Sequence, residues 1–389
     1  MNPDSSADPV PIPVPVPAAW HERLVRLVPG LTAADLSLAI HPGDQMYSHS
    51  LAHHGQPDIA LSQYFAISLQ QFSVARQVVR SLFGADAGRL QWLDFACGYG
   101  RLLRLLPALV PPAQTWASDI QAPAVAFVER TFGVQGLLSS ADPEQFAPAE
   151  RFDVIWVASL FSHLPGPLFR AWLARLMHLL SPDGVICFSV RDASQLPPGM
   201  SLPEGGLLYS GDSENAELDP DIYGTTWASE AYVRQALAGQ PYARLPRALA
   251  NEQDLYIAAA NPARDLSALT AIRRGPWGWL DRRRLDADGG LELEGWAGSL
   301  DDGQVDRVEI RFGSQARSLA CTIDRPDVAH AFADPRMARV GWRCRLPWPG
   351  QVSEADAAVS LEVQAVSRQD ERIVLYAGRA LDETTAAVA

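Results

Sequence analysis

The sequence predicts an α/β fold: a doubly wound, mostly parallel seven-stranded sheet, led by a helical segment and followed by a separate all-β, sandwich-like domain. Three observations predict it. The run Trp92-Leu93-Asp94-Phe95-Ala96-Cys97-Gly98-Tyr99-Gly100-Arg101-Leu102-Leu103 reads as a buried strand, an acid, a small-residue turn and a helix. A second apolar strand ends in Asp119, about 20 residues after that turn, which is the order a nucleoside-binding crossover needs. From Leu291 onward, apolar and polar residues alternate in short runs, the period of strands with one buried face.

The elements follow in order. Residues 1–18 are predicted to be a mobile, Pro-rich tail, because alternate prolines at 11–17 favour extended polyproline and forbid a helix. Residues 19–89 form a helical cap: apolar residues recur at helical spacing over 21–28 and 59–83, and Gly84 closes the second helix. His53 and His54 are expected in an exposed loop. Residues 90–262 hold the α/β domain, with strands near 90–95, 114–118, 135–139, 152–158, 184–190 and 254–260 and a weaker one near 242–247. Helices are expected after the first two strands, over 168–180 and over 229–237. Such alternation means a parallel sheet with right-handed crossovers.

Residues 191–226 are rich in Pro, Gly, Ser and acids, a loop long enough to be a functional lid or disorder. Residues 263–285 read as a linker and 286–389 as the sandwich, with a short helix starting at Pro326-Asp327.

Composition narrows the function. The 389 residues allow two or three domains, 48% hydrophobic content supports real cores, and 20% charged residues is ordinary. A formal net charge of −13 argues against nucleic acid as substrate, since proteins that hold it concentrate positive charge against phosphates. Four cysteines form no C-x-x-C pair, so no zinc site is implied. Cys97 and Cys187 are expected as small buried residues, and Cys321 and Cys344, on separate predicted strands, as reduced thiols of a cytoplasmic protein. The N-terminus shows no basic region followed by an apolar core, and no run of 18 apolar residues occurs, so neither a secretory signal nor a membrane span is expected.

The glycine spacing separates two cofactor classes. A dinucleotide fingerprint needs Gly at 98, 100 and 103, and position 103 is Leu. The string Asp94-x-Ala96-x-Gly98-x-Gly100 instead resembles the first motif of class I S-adenosylmethionine-dependent methyltransferases, with Ala96 where that family usually has Gly. Ala tolerates fewer backbone angles, so an ordinary φ is expected there. Residues 115–120 look like the family's second strand, 152–164 its fourth motif, and 179–190 its helix–turn–strand five. The resemblance covers about residues 90–260.

It implies S-adenosylmethionine as cofactor, held by Asp94, Ala96, Cys97, Gly98 and Gly100. Asp119 is expected on the ribose hydroxyls, Ile120 against the adenine, and Ser139, Ser140 and Ala158 at the strand ends. A helix cap is the plainer reading of Asp119. The leading segment often covers the cofactor in this family, which nominates Tyr47 and Tyr64. Asp212, Ser213, Glu214 and Asn215, and the string 223–227, resemble acceptor-side segments of some bacterial members.

An oxygen acceptor profits from a base, and His163, just past the strand-four tip, is the first candidate, with Asp192 the second. The strand-four tip carries neither the Asn/Asp-Pro-Pro-Tyr string of base-amine enzymes nor an acid for a magnesium site, so a metal-independent O-methyltransferase is expected. The C-terminal portion resembles accessory β-domains of bacterial glycosyltransferases and surface-polysaccharide enzymes, which suggests a sugar hydroxyl or other small molecule as acceptor. A non-catalytic glycan- or protein-binding module is the alternative from another class, and an NAD-dependent oxidoreductase is disfavoured by Leu103.

Overall fold

Strands buried on both faces read as unbroken apolar runs, and β1 (Trp92–Phe95) and β2 (Thr115–Asp119) are buried along their whole lengths. They belong to a computed structural model that describes residues 12–212, 218–348 and 360–381. With β3 (Gln135–Leu138), β4 (Phe152–Val157), β5 (Leu180–Val190), β8 (Tyr242–Leu249) and β9 (Gln253–Ala259) they form one seven-stranded sheet in the order β3-β2-β1-β4-β5-β9-β8. Pairing is parallel from β3 to β5, and β9 runs antiparallel to both neighbours. Adjacent residues serve opposite faces: Trp92, Val154 and Val185 enter one core, and Leu93, Ile155 and Ile186 the other. Strand order reverses between β1 and β4, which opens a crevice at their carboxyl ends.

The second crossover contains the expected helix, α4 (Ala122–Phe132), closed by Gly133 at φ +67°. The first does not. Residues 98–105 wind as successive turns, with Gly100 N–H donating to Cys97 at 3.1 Å and Leu105 N–H to Leu102 at 3.0 Å. Gly98 and Gly100 sit at φ +53° and +79°, outside the helical region, and Pro107 lacks the N–H that a longer helix would use. The crossover therefore holds no α-helix, only the short 3-10 turns Leu106–Ala108 and Pro112–Gln114.

The leading segment holds α1 (Ala19–Leu27), α2 (Gln45–His54) and α3 (Pro57–Phe83). Helix α2 is absent from the sequence reading because its apolar residues are few. His53 and His54 form its last turn, not a loop, and the His54 ring lies 5.0 Å from that of Trp279. The described end of the Pro-rich tail is docked rather than mobile: Val14 N–H donates to the Ile40 carbonyl at 2.9 Å, and Val14 and Val16 pack on the core. Alternation places both valines on one side of the extended chain.

In the insertion, β6 (Leu207–Ser210) and β7 (Thr225–Ala228) pair as an antiparallel hairpin ahead of α6 (Glu230–Ala236), which Ser229 caps, and α5 (Gly166–His178) precedes β5.

The C-terminal region is two antiparallel sheets. One joins β10 (Pro276–Leu285), β11 (Gly290–Ser299), β12 (Gly303–Gln304) and β15 (Gly341–Pro347); the other joins β13 (Arg307–Phe312), β14 (Gln315–Leu319), β16 (Ser360–Val366) and β17 (Arg372–Arg379). Leu291 and Leu293 of the first share a core with Val308, Ile310 and Val363 of the second. Strand β10 corrects the expected linker 263–285. Its charged second half hides it in sequence, because Arg282 and Arg284 are exposed cross-strand partners of Glu294 and Glu292. The short helix α7 (Pro326–Ala331) begins at the expected Pro326. Cys321 lies outside the strands, and all four cysteines are free thiols.

The sandwich also rests on α3. Asp58 Oδ2 accepts from Arg379 N–H at 2.8 Å, and Ser62 Oγ accepts from Ala377 N–H at 2.9 Å. At the other end of this contact Glu362, 8% exposed, pairs with Arg23 at 3.0 Å and Arg26 at 2.6 Å of α1.

Candidate active site

A cavity opens at the carboxyl ends of β1, β2 and β4. Asp94, Ala96, Cys97 and Gly98 line it from the bend after β1. Asp119 and Ile120 line it from the end of β2, Ser139 and Ser140 from beyond β3, and Ala158 from beyond β4. Gly100 does not. It sits at φ +79°, and a Cβ there would lie 2.5 Å from the Phe132 ring, so glycine at 100 serves packing on α4.

The bend is left-handed at Ala96, φ +55°, as well as at Gly98, so the ordinary φ expected at Ala96 is corrected. An L-residue in that region costs roughly 1–2 kcal/mol, which surrounding bonds must offset. They come from β2: Asp119 Oδ2 accepts from Gly98 N–H at 2.9 Å, and Cys97 N–H donates to the Ser118 carbonyl at 3.0 Å. The other carboxylate oxygen, Oδ1, accepts from Gln121 N–H at 2.9 Å beside the start of α4. Asp119 thus has the local capping bond and a place on the cavity wall together.

Burial dominates the electrostatics. Asp94 is 4% exposed, and loss of water, followed by repulsion from Asp119, pushes its carboxyl up to about 8, with Arg101 opposing. Burial raises Asp119 too, against the backbone N–H groups it accepts. The Cys97 thiol is driven well up by burial and by both carboxylates, so it stays neutral. Two desolvated carboxyls beside one guanidinium, Arg101, make this end of the cavity receptive to a cationic ligand.

The cap contributes Asp44, Gln45, Met46 and Gln71, none of which the sequence reading singled out. Asp44 N-caps α2, accepting from Met46 N–H at 3.0 Å, and a short polar residue before a helix is the signal that points to it. Gln71 is 2% exposed, and its Nε2 has no hydrogen-bond partner among the described residues.

Tyr47 and Tyr64, the expected cover, are buried behind this wall instead. The Tyr64 hydroxyl donates to Asp44 Oδ2 at 2.7 Å and accepts from Arg104 Nη2 at 2.9 Å. Fully buried Arg104 also donates to the Ser37 carbonyl at 3.1 Å, so the pair fastens the loop before α2 to the first crossover. Tyr64→Phe removes one hydroxyl from both partners and is expected to destabilise the protein by about 1–3 kcal/mol in chemical denaturation.

Opposite the cap, Ser159, Leu160, Leu164, Leu168 and Trp172 form a largely apolar wall, which Leu218, Ile222 and Tyr223 of the insertion extend. The insertion is stitched to the loop after β4. Gly224 N–H donates to the His163 carbonyl and Thr226 N–H to the Ser162 carbonyl, both at 2.8 Å.

His163 is 2% exposed and lies behind the wall. Its Nδ1 is 2.6 Å from the Gly224 carbonyl, which accepts its proton, and its ring stacks on Tyr223 with centroids 4.5 Å apart. Asp192 is elsewhere: it accepts from Ser194 N–H at 2.9 Å, pairs with Arg244 at 3.1 Å, and lines a second, polar cavity between β8 and the sandwich. The structure therefore brings the two base candidates neither to the cavity wall nor to each other. Ser213, Glu214 and Asn215 lie outside the described residues.

Comparison with known proteins bears on this region. A family model for a methyltransferase domain matches residues 93–186. That span begins at β1 and contains the bend, Asp119 and the tip of β4. No curated protein matches the chain.

Among solved structures, an amino pentose methyltransferase from Micromonospora echinaspora with bound S-adenosylmethionine is 15% identical, covering 49% of this chain and 90% of its own at a TM-score of 0.36. Magnesium protoporphyrin IX methyltransferase from Synechocystis is 18% identical, covering 52% and 81% at 0.33. An S-adenosylmethionine-dependent methyltransferase from Clostridium acetobutylicum is 14% identical, covering 55% and 98% at 0.38. The fold itself rests on the strand order and pairing described above. Among the described residues no helix is long and apolar enough to cross a membrane.

Proposed function

We propose that this chain is an S-adenosylmethionine-dependent methyltransferase. The observation that carries the reading is the cavity between the bend at Ala96–Gly98 and Asp119, inside the span that matches the methyltransferase-domain model. The residues fit the cofactor. Asp94 and Asp119 are buried acids that gain from positive charge, and a Cβ at Gly98 would meet nothing within 4 Å, so the backbone there is open to close approach. Asp119 would take the ribose hydroxyls and Ile120 the adenine face. Asp94 and Arg101 would hold the ammonium and carboxylate of the amino-acid end, and Ala158 would border the sulfonium.

The bound cofactor supplies an activated methyl group, and the chain's task is to align an acceptor and exclude water. The lid residues Ile222 and Tyr223 would close over that acceptor. Our reading of the acceptor is a small molecule or a sugar hydroxyl, methylated without a metal in the cytoplasm. The sandwich would act as an accessory domain like those of surface-polysaccharide enzymes.

Within this reading His163 seats Tyr223 rather than acting as base. Replacing His163 by Gln is then expected to lower turnover while leaving the shape of the pH–rate profile near neutrality unchanged. A lost limb near pH 6–7 would restore His163 as the base.

Calorimetric titration of the folded chain with S-adenosylmethionine tests the assignment, and saturable binding that S-adenosylhomocysteine displaces is the expected result. Absence of heat from folded protein would favour a non-catalytic binding module. The acceptor is sought by mass spectrometry of surface glycans from a strain lacking the protein, as a missing increment of about 14 daltons.

A further inference from the structure

At the tip of β4 the backbone of Ser159 is left-handed, φ +64°, although it is not glycine, and the residue lines the cavity. Two polar side chains from other strands close a ring of three hydrogen bonds with it. Ser159 N–H donates to Ser189 Oγ at 2.7 Å, Ser189 Oγ–H donates to Gln253 Oε1 at 2.7 Å, and Gln253 Nε2 donates back to Ser159 Oγ at 3.1 Å. A longer contact, Ser159 Oγ to Gln253 Oε1 at 3.4 Å, competes with an oxygen that already holds the Ser189 proton. From outside the ring, Ser162 Oγ–H donates to the Ser159 carbonyl at 2.7 Å. Ser189 on β5 is fully buried and Gln253, at the start of β9, is 7% exposed, so the ring sits where hydrogen bonds are costly to lose.

We propose that Ser189 and Gln253 are positioning residues for the cavity: they hold Ser159 left-handed, and with it the wall formed by Ala158, Ser159 and Leu160. The proposal rests on the methyltransferase reading, because its probe is S-adenosylmethionine. The left-handed region disfavours an L-residue by roughly tenfold or more in population. Without the ring, Ser159 relaxes to a commoner conformation, the binding-competent wall becomes a minor state, and apparent affinity falls by the fraction lost. Glycine populates left-handed and right-handed backbone about equally, so at position 159 it makes the ring unnecessary.

The experiment measures S-adenosylmethionine affinity by calorimetry in the full chain. Ser189→Ala and Gln253→Leu are each expected to weaken binding about tenfold. Adding Ser159→Gly to either variant is expected to restore affinity to within about threefold of the parent, a rescue that general loosening of the core would not give. Ser189→Ala removes a single oxygen and provides the reading if Gln253→Leu does not fold. Parental affinity in Ser189→Ala, or a loss that Ser159→Gly leaves unrepaired, overturns the positioning role. Failure of the unmodified protein to bind S-adenosylmethionine would instead overturn the methyltransferase reading.

Discussion

Asp119→Ala is expected to weaken S-adenosylmethionine binding by about 1–3 kcal/mol, through loss of charge-assisted hydrogen bonds. Two losses coincide. The carboxylate is the acid at the end of β2 that faces the cavity, and its Oδ2 also ties the Gly98 N–H of the bend. Removing it takes away the proposed ribose partner and frees a bend that already carries a left-handed Ala96. Asp119→Asn separates part of this: its one carbonyl oxygen can still accept from Gly98 N–H and keep the bend, while the negative charge and the bond from Gln121 N–H are lost. Calorimetry on both variants checks this. Unchanged affinity in Asp119→Ala would show that the ribose site lies elsewhere.

The second large effect is a proton linkage at Asp94. Its carboxyl is pushed up to about 8, chiefly by burial, so the free protein carries that proton at neutral pH. A cationic ligand favours the ionised form, so binding releases the proton. Affinity is expected to rise with pH, by as much as about tenfold per unit, and to level off above pH 8. Titrations in buffers of different ionisation enthalpy measure the released proton, and Asp94→Asn is expected to bind weakly with a flat pH dependence.

The same shift sets a stability trend of opposite sense. A carboxyl whose folded value lies above its unfolded one stabilises the fold fully below the unfolded value, near 4, and that contribution is lost as pH rises through about 8. Asp94→Asn should therefore raise the Tm of the ligand-free protein at pH 8–9 even as it impairs binding. A lower Tm at that pH would show that Asp94 is stabilised by contacts rather than strained by burial.

The positions of the sheet strands along the chain were legible because burial on both faces writes itself as apolar runs, as in 152–157 and 185–190. The cavity-lining residues Asp94, Gly98 and Asp119 were legible because acids at the ends of such runs, with small residues between them, fall where a parallel sheet opens its crevice. Helix α2 and strand β10 were not, since one has few apolar residues and the other hides a pairing edge behind arginines matched by Glu292 and Glu294. The missing helix after β1 escaped because its apolar spacing is helical while two glycines at positive φ prevent the conformation.

The chain's own pattern determined that a parallel sheet would form and that its carboxyl ends would carry a bend and two acids, because periodicity and residue size act locally. Tertiary structure alone decided which further residues join them at the cavity. His163 and Asp192 face carbonyl and guanidinium partners elsewhere, whereas Gln71, Arg101, Ser159 and Tyr223 reach the wall. The reason is distance along the chain. The ring of Ser159, Ser189 and Gln253 joins three strands up to 94 residues apart, and no local pattern records which side chains meet when those strands pair.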